Sequence, residues 1–284
     1  MQTSGLPRKT HRGNEVISGL NDAEISKAII STYHDKLLRG LTGDALIVGA
    51  GPSCLTAAFY LAQNGLKVTL VEKRLAPGGG VWGGGMAMNQ VVIQEGALPL
   101  LDEIGIHHEL WRGELHVADA VELAAGLCLR VVQNGAVLLN LMTAEDVCVQ
   151  RERVTGVVVN RSMIGESLPV DPITLSTKAV IDATGHEAVV VQRLRRRGLL
   201  ADSVGGGAPG EGPMDAASGE AFVVENVAQV FPGLWVAGMS VCATFGGPRM
   251  GPIFGGMLLS GKRAADLVLA SIAGWAEQGQ GMRR

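Results

Sequence analysis

Cysteine is sparse and unpaired in this chain: Cys54, Cys128, Cys148 and Cys242 form no C-x-x-C pair, and each sits among apolar neighbours. That pattern excludes a disulfide framework and fits a reduced, cytoplasmic protein. A positive charge excess is missing as well. The formal net charge is -3, which excludes a general attraction to nucleic acid. No apolar run reaches the ~18 residues of a membrane span. The longest candidate, GPIFGGMLLSGKRAADLVLASIAG, is interrupted by Lys262, Arg263 and Asp266 and reads as an amphipathic or buried helix. The first residues, MQTSGLPRKTHRGNEV, lack the apolar stretch of a signal peptide. There is no internal repeat. The one basic run, Arg193, Arg195, Arg196 and Arg197, reads as a solvated helix face.

What the chain does have is bulk and glycine. Its 284 residues are 47% hydrophobic and 18% charged, enough for a large core. Forty glycines against 4% aromatics imply many tight turns and close backbone approaches. The pattern predicts a flexible segment over 1–20, a single dinucleotide-binding α/β domain over 21–273 with an inserted substrate region, and a tail over 274–284. Asn21-Asp22 predicts the cap of a helix over AEISKAIISTYHDKLL. The stretch 76–86, APGGGVWGGGM, is too glycine-rich for regular structure, and a helical stretch follows near 95–105. AEDVCVQRERVTGVVVNRSMI predicts two strands with a turn around Arg151–Gly156, and LSTKAVIDATG a strong strand. Residues 201–220 predict a long polar loop, either a mobile lid or a crossover. GLWVAGM is a last strand before the closing helix.

The clearest unit is DALIVGAGPSCLTAAFYLAQNGLKVTLVEK: strand, glycine turn, helix, strand. Gly49 permits the tight turn and Gly51 lets the backbone approach a pyrophosphate, while the helix N-terminus offers free N–H groups to the anion. Cys54 stands where a third glycine is usual; it is small enough for close helix–strand packing. Glu72 closes the second strand, placed to accept from both ribose hydroxyls of an adenosine. The motif suits FAD, NAD or both. A second strand end, VIDATGHEA, sets His186 directly after the Ala183-Thr184-Gly185 turn, either as a strand-end histidine or as a ligand. Asp182, before that turn, reads as structural.

With these pieces in place the sequence resembles the thiamine thiazole synthase (Thi4) family. The likeness rests on GAGPSCLTAAFYLAQNGLKVTLVEK, GGGVWGGGM, VDPITL, VIDATGHEA and GMSVCATFGGPRMGPIFGGM, spread from about residue 24 to 270. It implies a flavoprotein-like, Rossmann-type α/β fold with a central parallel sheet and an added β/α insertion. It also implies an enzyme of the pentosyl-transferase type that consumes NAD as substrate. Such an enzyme releases nicotinamide and joins glycine and sulfur to the ADP-ribose, giving an ADP-thiazole carboxylate. By the same resemblance His186 and Asp171 bind Fe(II), with Asp171 supplied by a neighbouring protomer of a symmetric assembly, typically an octamer. One imidazole and one carboxylate suit Fe(II) and leave positions open for substrate. Arg249, in GGPRMGP, holds the carboxylate of glycine, which a guanidinium fork matches bidentately. Asp171, His186 and Arg249 are thus the implied catalytic set. Ser53, Glu72, Lys73, Gly80, Val147 and Met239 join Gly49 and Gly51 around NAD, although Val147 and Met239 serve equally well as core residues.

The sequence departs from the family at the sulfur source. In the single-turnover branch a cysteine two residues before the "DP" aspartate gives up its own sulfur; in the sulfide-using archaeal branch that position is usually histidine. Here it is Pro169, which has no sulfur to give. The reading is therefore external sulfide over multiple turnovers. Three rivals are a FAD-dependent oxidoreductase, which would purify yellow, a non-catalytic NAD-binding homologue, and a sugar-phosphate isomerase, which has no use for a glycine clamp.

Overall fold

The computed structural model describes residues 21–164, 170–201 and 210–281. The expected flexible segment 1–20, Pro169 and the first part of the 201–220 loop lie outside the described residues. From the N-terminus the chain forms α1 (Asp22–Gly40), β1 (Thr42–Val48), α2 (Pro52–Gln63) and β2 (Val68–Glu72). It then forms β3 (Gln90–Gln94), α3 (Leu98–Ile104), β4 (His108–Arg112), β5 (Leu115–Asp119), α4 (Ala120–Gln133) and β6 (Val137–Asn140). The second half holds β7 (Met142–Gln150), β8 (Arg153–Arg161), β9 (Ile173–Asp182), α5 (Val189–Arg196), β10 (Gly212–Met214) and α6 (Ala216–Glu225). The last elements are β11 (Ala228–Phe231), β12 (Leu234–Val236), α7 (Met239–Phe245), β13 (Pro248–Arg249) and α8 (Gly255–Gly281).

Five parallel strands in the order β12-β9-β1-β2-β6 make the centre of the main sheet. Their sequences dictate that position: Ala45 to Val48 and all of β2 are buried, the near-continuous apolar pattern of strands covered on both faces. Helix α2 is buried from Ser53 to Ala62 and packs between the sheet, α4 and the long α8. β9 is long enough to change partners. Its first half pairs antiparallel with β8, which pairs with β7, and its second half pairs parallel with β12. Between β2 and β6 lies the expected β/α insertion, an antiparallel sheet β3-β5-β4 with α3 and α4. The architecture is the Rossmann-type α/β fold the sequence predicts.

Several expectations are corrected. The turn expected over Arg151–Gly156 shrinks to Arg151 and Glu152, with φ 50° and 58°. A two-residue turn with both φ positive matches the twist of the strands it joins, so pairing runs right up to it. The glycine stretch 76–86 holds two short 3₁₀ turns, Val81–Gly83 and Gly85–Ala87. The loop expected to residue 220 gives way to β10 (Gly212–Met214) and α6. β10 pairs with β13, and Asp215 caps α6 by accepting from Ser218 N at 3.2 Å. The last helix runs to Gly281, past residue 273 where the domain was expected to end.

The arginine run is not one solvated face. Arg195 is buried, and its Nη2 donates to the Thr244 carbonyl at 2.8 Å. Arg197 pairs with Asp146. Among the described residues no helix is long and apolar enough to cross a membrane.

Candidate active site

A cavity of about 680 Å³ opens at the carboxyl ends of β1, β2 and β9, where open α/β sheets bind ligands. The first wall is the Gly49-Ala50-Gly51 turn. Gly49 has φ 105°, and a Cβ there would meet the Ala183 carbonyl oxygen at 2.8 Å, so the protein itself requires glycine. Gly51 differs. A Cβ on it would meet nothing within 4 Å, which leaves the space above it to a ligand. Gly51 is also the N-cap of α2 and gives no side-chain cap, so the first N–H groups of that helix face the cavity without a side-chain acceptor. The contrast is α8, whose first turn is already served: Glu220 Oε2 accepts from Gly256 N at 2.6 Å.

Glu72 is buried and already tied to the turn. Its Oε2 accepts from Ala50 N at 2.9 Å and its Oε1 from Arg74 N at 2.8 Å. Each carboxylate oxygen keeps a lone pair for a further donor. Ser53, Lys73, Gly80 and Met239 also line the cavity. Lys73 reaches across the mouth to Glu187, Nζ to Oε2 2.7 Å. Cys54 fits the third-glycine position by turning inward: it is fully buried, and its Sγ donates to the Ala183 carbonyl at 3.1 Å. Burial pushes that thiol far above the usual range.

The opposite wall carries the polar side chains. Asp182 is fully buried and fixes the turn that presents His186. Its Oδ1 accepts from Thr184 N at 3.1 Å and Thr184 Oγ1 at 2.8 Å, and its Oδ2 from Val190 N and Val191 N at 2.8 and 3.0 Å. His186 lines the cavity and is more than half exposed. Its Nδ1 lies 2.6 Å from Glu211 Oε1, and Glu211 Oε2 lies 3.3 Å from Arg249 Nε. Glu211 was not singled out in the sequence, where it sits in the glycine-rich stretch GAPGEGPM. The pairing of β10 with β13 brings it beside Arg249, and Gly212 N donates to the Gly247 carbonyl at 2.7 Å to lock that approach. Arg193, one turn along α5, also lines the cavity and was missed as a site residue.

Two expected residues lie elsewhere in the single chain. Val147 is buried in the β7–β8 hairpin opposite Val157, while the start of β7, Met142 to Ala144, reaches the cavity instead. Three to five residues of extended strand, roughly 10–16 Å, separate the two places. Asp171 is exposed just before β9, whereas His186 follows its other end. The ten residues of β9 put roughly 30 Å between them. One ion cannot touch both within a chain. Among the described residues, no three His, Cys, Asp or Glu of one chain cluster as metal ligands do. Within one chain, His186 and Asp171 therefore do not form a shared donor set.

No cysteine offers an exposed thiol to the cavity among the described residues. Cys242, fully buried in α7, has its thiol pushed up to about 11 by burial and by the Glu211 carboxylate. Burial raises the Cys128 and Cys148 thiols too.

Comparison with known proteins follows the same outline. The model of the Thi4 family matches residues 26–254. A thiamine thiazole synthase of Pyrococcus horikoshii is 47% identical over 254 residues, covering 89% of this chain and 99% of the relative. One from Thermotoga maritima is 48% identical over 250 residues, covering 88% and 97%. The crystal structure of Thermovibrio ammonificans THI4 superposes with a TM-score of 0.85 at 41% identity, covering 90% of this chain and 99% of that one.

Proposed function

The chain belongs to the Thi4 family, and from that premise we propose that it is a thiamine thiazole synthase converting NAD, glycine and sulfide to an ADP-thiazole carboxylate with release of nicotinamide. The observation that carries the reading is the meeting, in one cavity, of the uncapped α2 N-terminus with His186 and Arg249, which Glu211 links from behind. The first is suited to a pyrophosphate and the second to a small carboxylate substrate beside a metal.

The α2 N–H groups and Glu72 hold the ADP part, so binding energy far from the reaction fixes the nicotinamide ribose near His186. Arg249 receives the glycine carboxylate and aims its amine at the opened ribose carbonyl. His186 and the partner subunit's Asp171 hold Fe(II). When bound, the metal supplies a Lewis-acid centre with open positions for sulfide and substrate. His186 serves as ligand and not as general base. Asp171 is exposed in the single chain, beside Val170 at 44% exposure. A ligand that cannot reach its own site supports a homo-oligomer, an octamer by the family's habit, with the site shared between protomers. The buried thiols support external sulfide and multiple turnovers.

The test is anaerobic incubation with NAD, glycine, Fe(II) and sulfide, followed by mass spectrometry of the nucleotides. Wild type should form more than one equivalent of ADP-thiazole, and His186→Ala and Arg249→Ala should form none. Intact NAD in every tube would refute the synthase reading in favour of a non-catalytic homologue. Turnover independent of glycine would favour the isomerase, and stoichiometric bound FAD the oxidoreductase.

A further inference from the structure

We propose that Glu211 is a positioning residue that couples the metal ligand to the glycine clamp, orienting His186 and Arg249 with the two oxygens of one carboxylate. This inference rests on the roles given above to His186 and Arg249.

The geometry is specific. Glu211 Oε1 is 2.6 Å from His186 Nδ1, and Oε2 is 3.3 Å from Arg249 Nε. Its side chain is only 11% exposed, against 58% for His186 and 52% for Arg249, so the anchored member of the trio is the carboxylate. The backbone around it is tied on both sides: Gly210 N donates to the Ala243 carbonyl at 3.3 Å and Gly212 N to the Gly247 carbonyl at 2.7 Å.

Chemistry then assigns the protons. An ionised carboxylate only accepts, so His186 carries its proton on Nδ1 and keeps the Nε2 lone pair for a metal. A carboxylate behind a metal-bound imidazole fixes both its tautomer and its ring orientation. On the other side, Arg249 Nε forms an ion pair with Oε2 at 3.3 Å without a hydrogen bond, which leaves its two Nη groups as a parallel pair of donors for a second carboxylate. Both neighbours are donors, and a carboxylate serves both. The amide of glutamine, with one acceptor oxygen and one donor nitrogen, serves only one.

The test compares wild type with Glu211→Ala and Glu211→Gln, with His186→Ala and Arg249→Ala as controls. Co(II) alone is titrated into metal-free protein under anaerobic conditions and followed by its visible absorption; KM for glycine and kcat are measured with Fe(II); thermal unfolding checks the fold. Glu211→Ala should weaken Co(II) about 10–100-fold and raise the glycine KM about tenfold or more, for loss of the ion pair that orients Arg249. Glu211→Gln should hold Co(II) affinity near wild type, because its amide oxygen still accepts from His186, and should raise the glycine KM, because its amide nitrogen faces Arg249. That split is not expected of a residue that merely supports the fold.

Wild-type values for both readouts in either variant, or equal loss of both in Glu211→Gln with a lowered unfolding midpoint, would overturn the inference. Co(II) binding that requires His186 but ignores Glu211 would overturn this inference and leave the site reading standing. Wild type that takes up no Co(II), or takes it up equally without His186, would overturn both.

Discussion

Removing Asp182 should cost the protein more stability than any other single change near the cavity. The carboxylate is 0% exposed and accepts from three backbone N–H groups, those of Thr184, Val190 and Val191, and from the hydroxyls of Thr184 and Ser240. Asp182→Ala leaves the three N–H groups without an acceptor, at about 1–3 kcal/mol each. Burial raises the Asp182 pKa, so loss of the buried charge offsets part of that sum. The net loss should be about 3–5 kcal/mol.

Asp182→Asn separates hydrogen bonding from charge. Oδ2 faces two N–H donors, whereas Oδ1 faces one N–H and two hydroxyls that can rotate to accept. The amide nitrogen therefore settles at the Oδ1 position and orphans only Thr184 N. The expected loss is no more than about 2 kcal/mol. Urea unfolding followed by circular dichroism gives both values, with unchanged slopes confirming that the same surface unfolds. An alanine variant within 1 kcal/mol of wild type, measured against that scale of about 1–3 kcal/mol per donor, would refute the reasoning, as would an asparagine variant as unstable as the alanine one.

Two further expectations follow from the cavity walls. Glu72→Ala removes the acceptor for Ala50 N and Arg74 N together with the proposed partner for the ribose. Calorimetry should show NAD binding about 10–100-fold weaker, a loss of about 1.4–2.8 kcal/mol. With the Cys242 thiol near 11 and Cys54 higher still, the thiolate fraction of Cys242 at pH 7 is on the order of one in ten thousand. Iodoacetamide should leave both unmodified in native protein, and the intact mass after many turnovers should show no lost sulfur. Loss of hydrogen sulfide from any cysteine would overturn external sulfide as the source.

What could be read from the sequence was what local chemistry fixes. The strand–turn–helix of residues 44–63 carries its own logic in apolar runs and glycines, and Asn21 caps α1 as its position suggests, accepting from Ala23 N at 2.8 Å. His186 stood out because it directly follows the Ala183-Thr184-Gly185 turn at a strand end, and Arg249 through the family resemblance of GGPRMGP. Glu211 was illegible for the opposite reason. Its role comes from strand β13, nearly forty residues on, and nothing in GAPGEGPM announces a strand. Arg195 was misread because four arginines within five residues suggest solvent, whereas helical spacing turns one of them inward onto Thr244. Val147 shows a limit of another kind, since alternation along a strand separates faces but does not say which stretch of that strand nears the ligand.

The length of β9 has a consequence for how competence is distributed. If Asp171 before the strand and His186 after it are the metal donors proposed above, no copy owns a whole reaction centre; each lends half of one and borrows half of another. Under the proposed reading, a well-folded chain in isolation is inert, and activity belongs to the population. Two inactive mutants, one damaged at Asp171 and the other at His186, could restore each other when mixed, because some pairings would bring together the two undamaged halves.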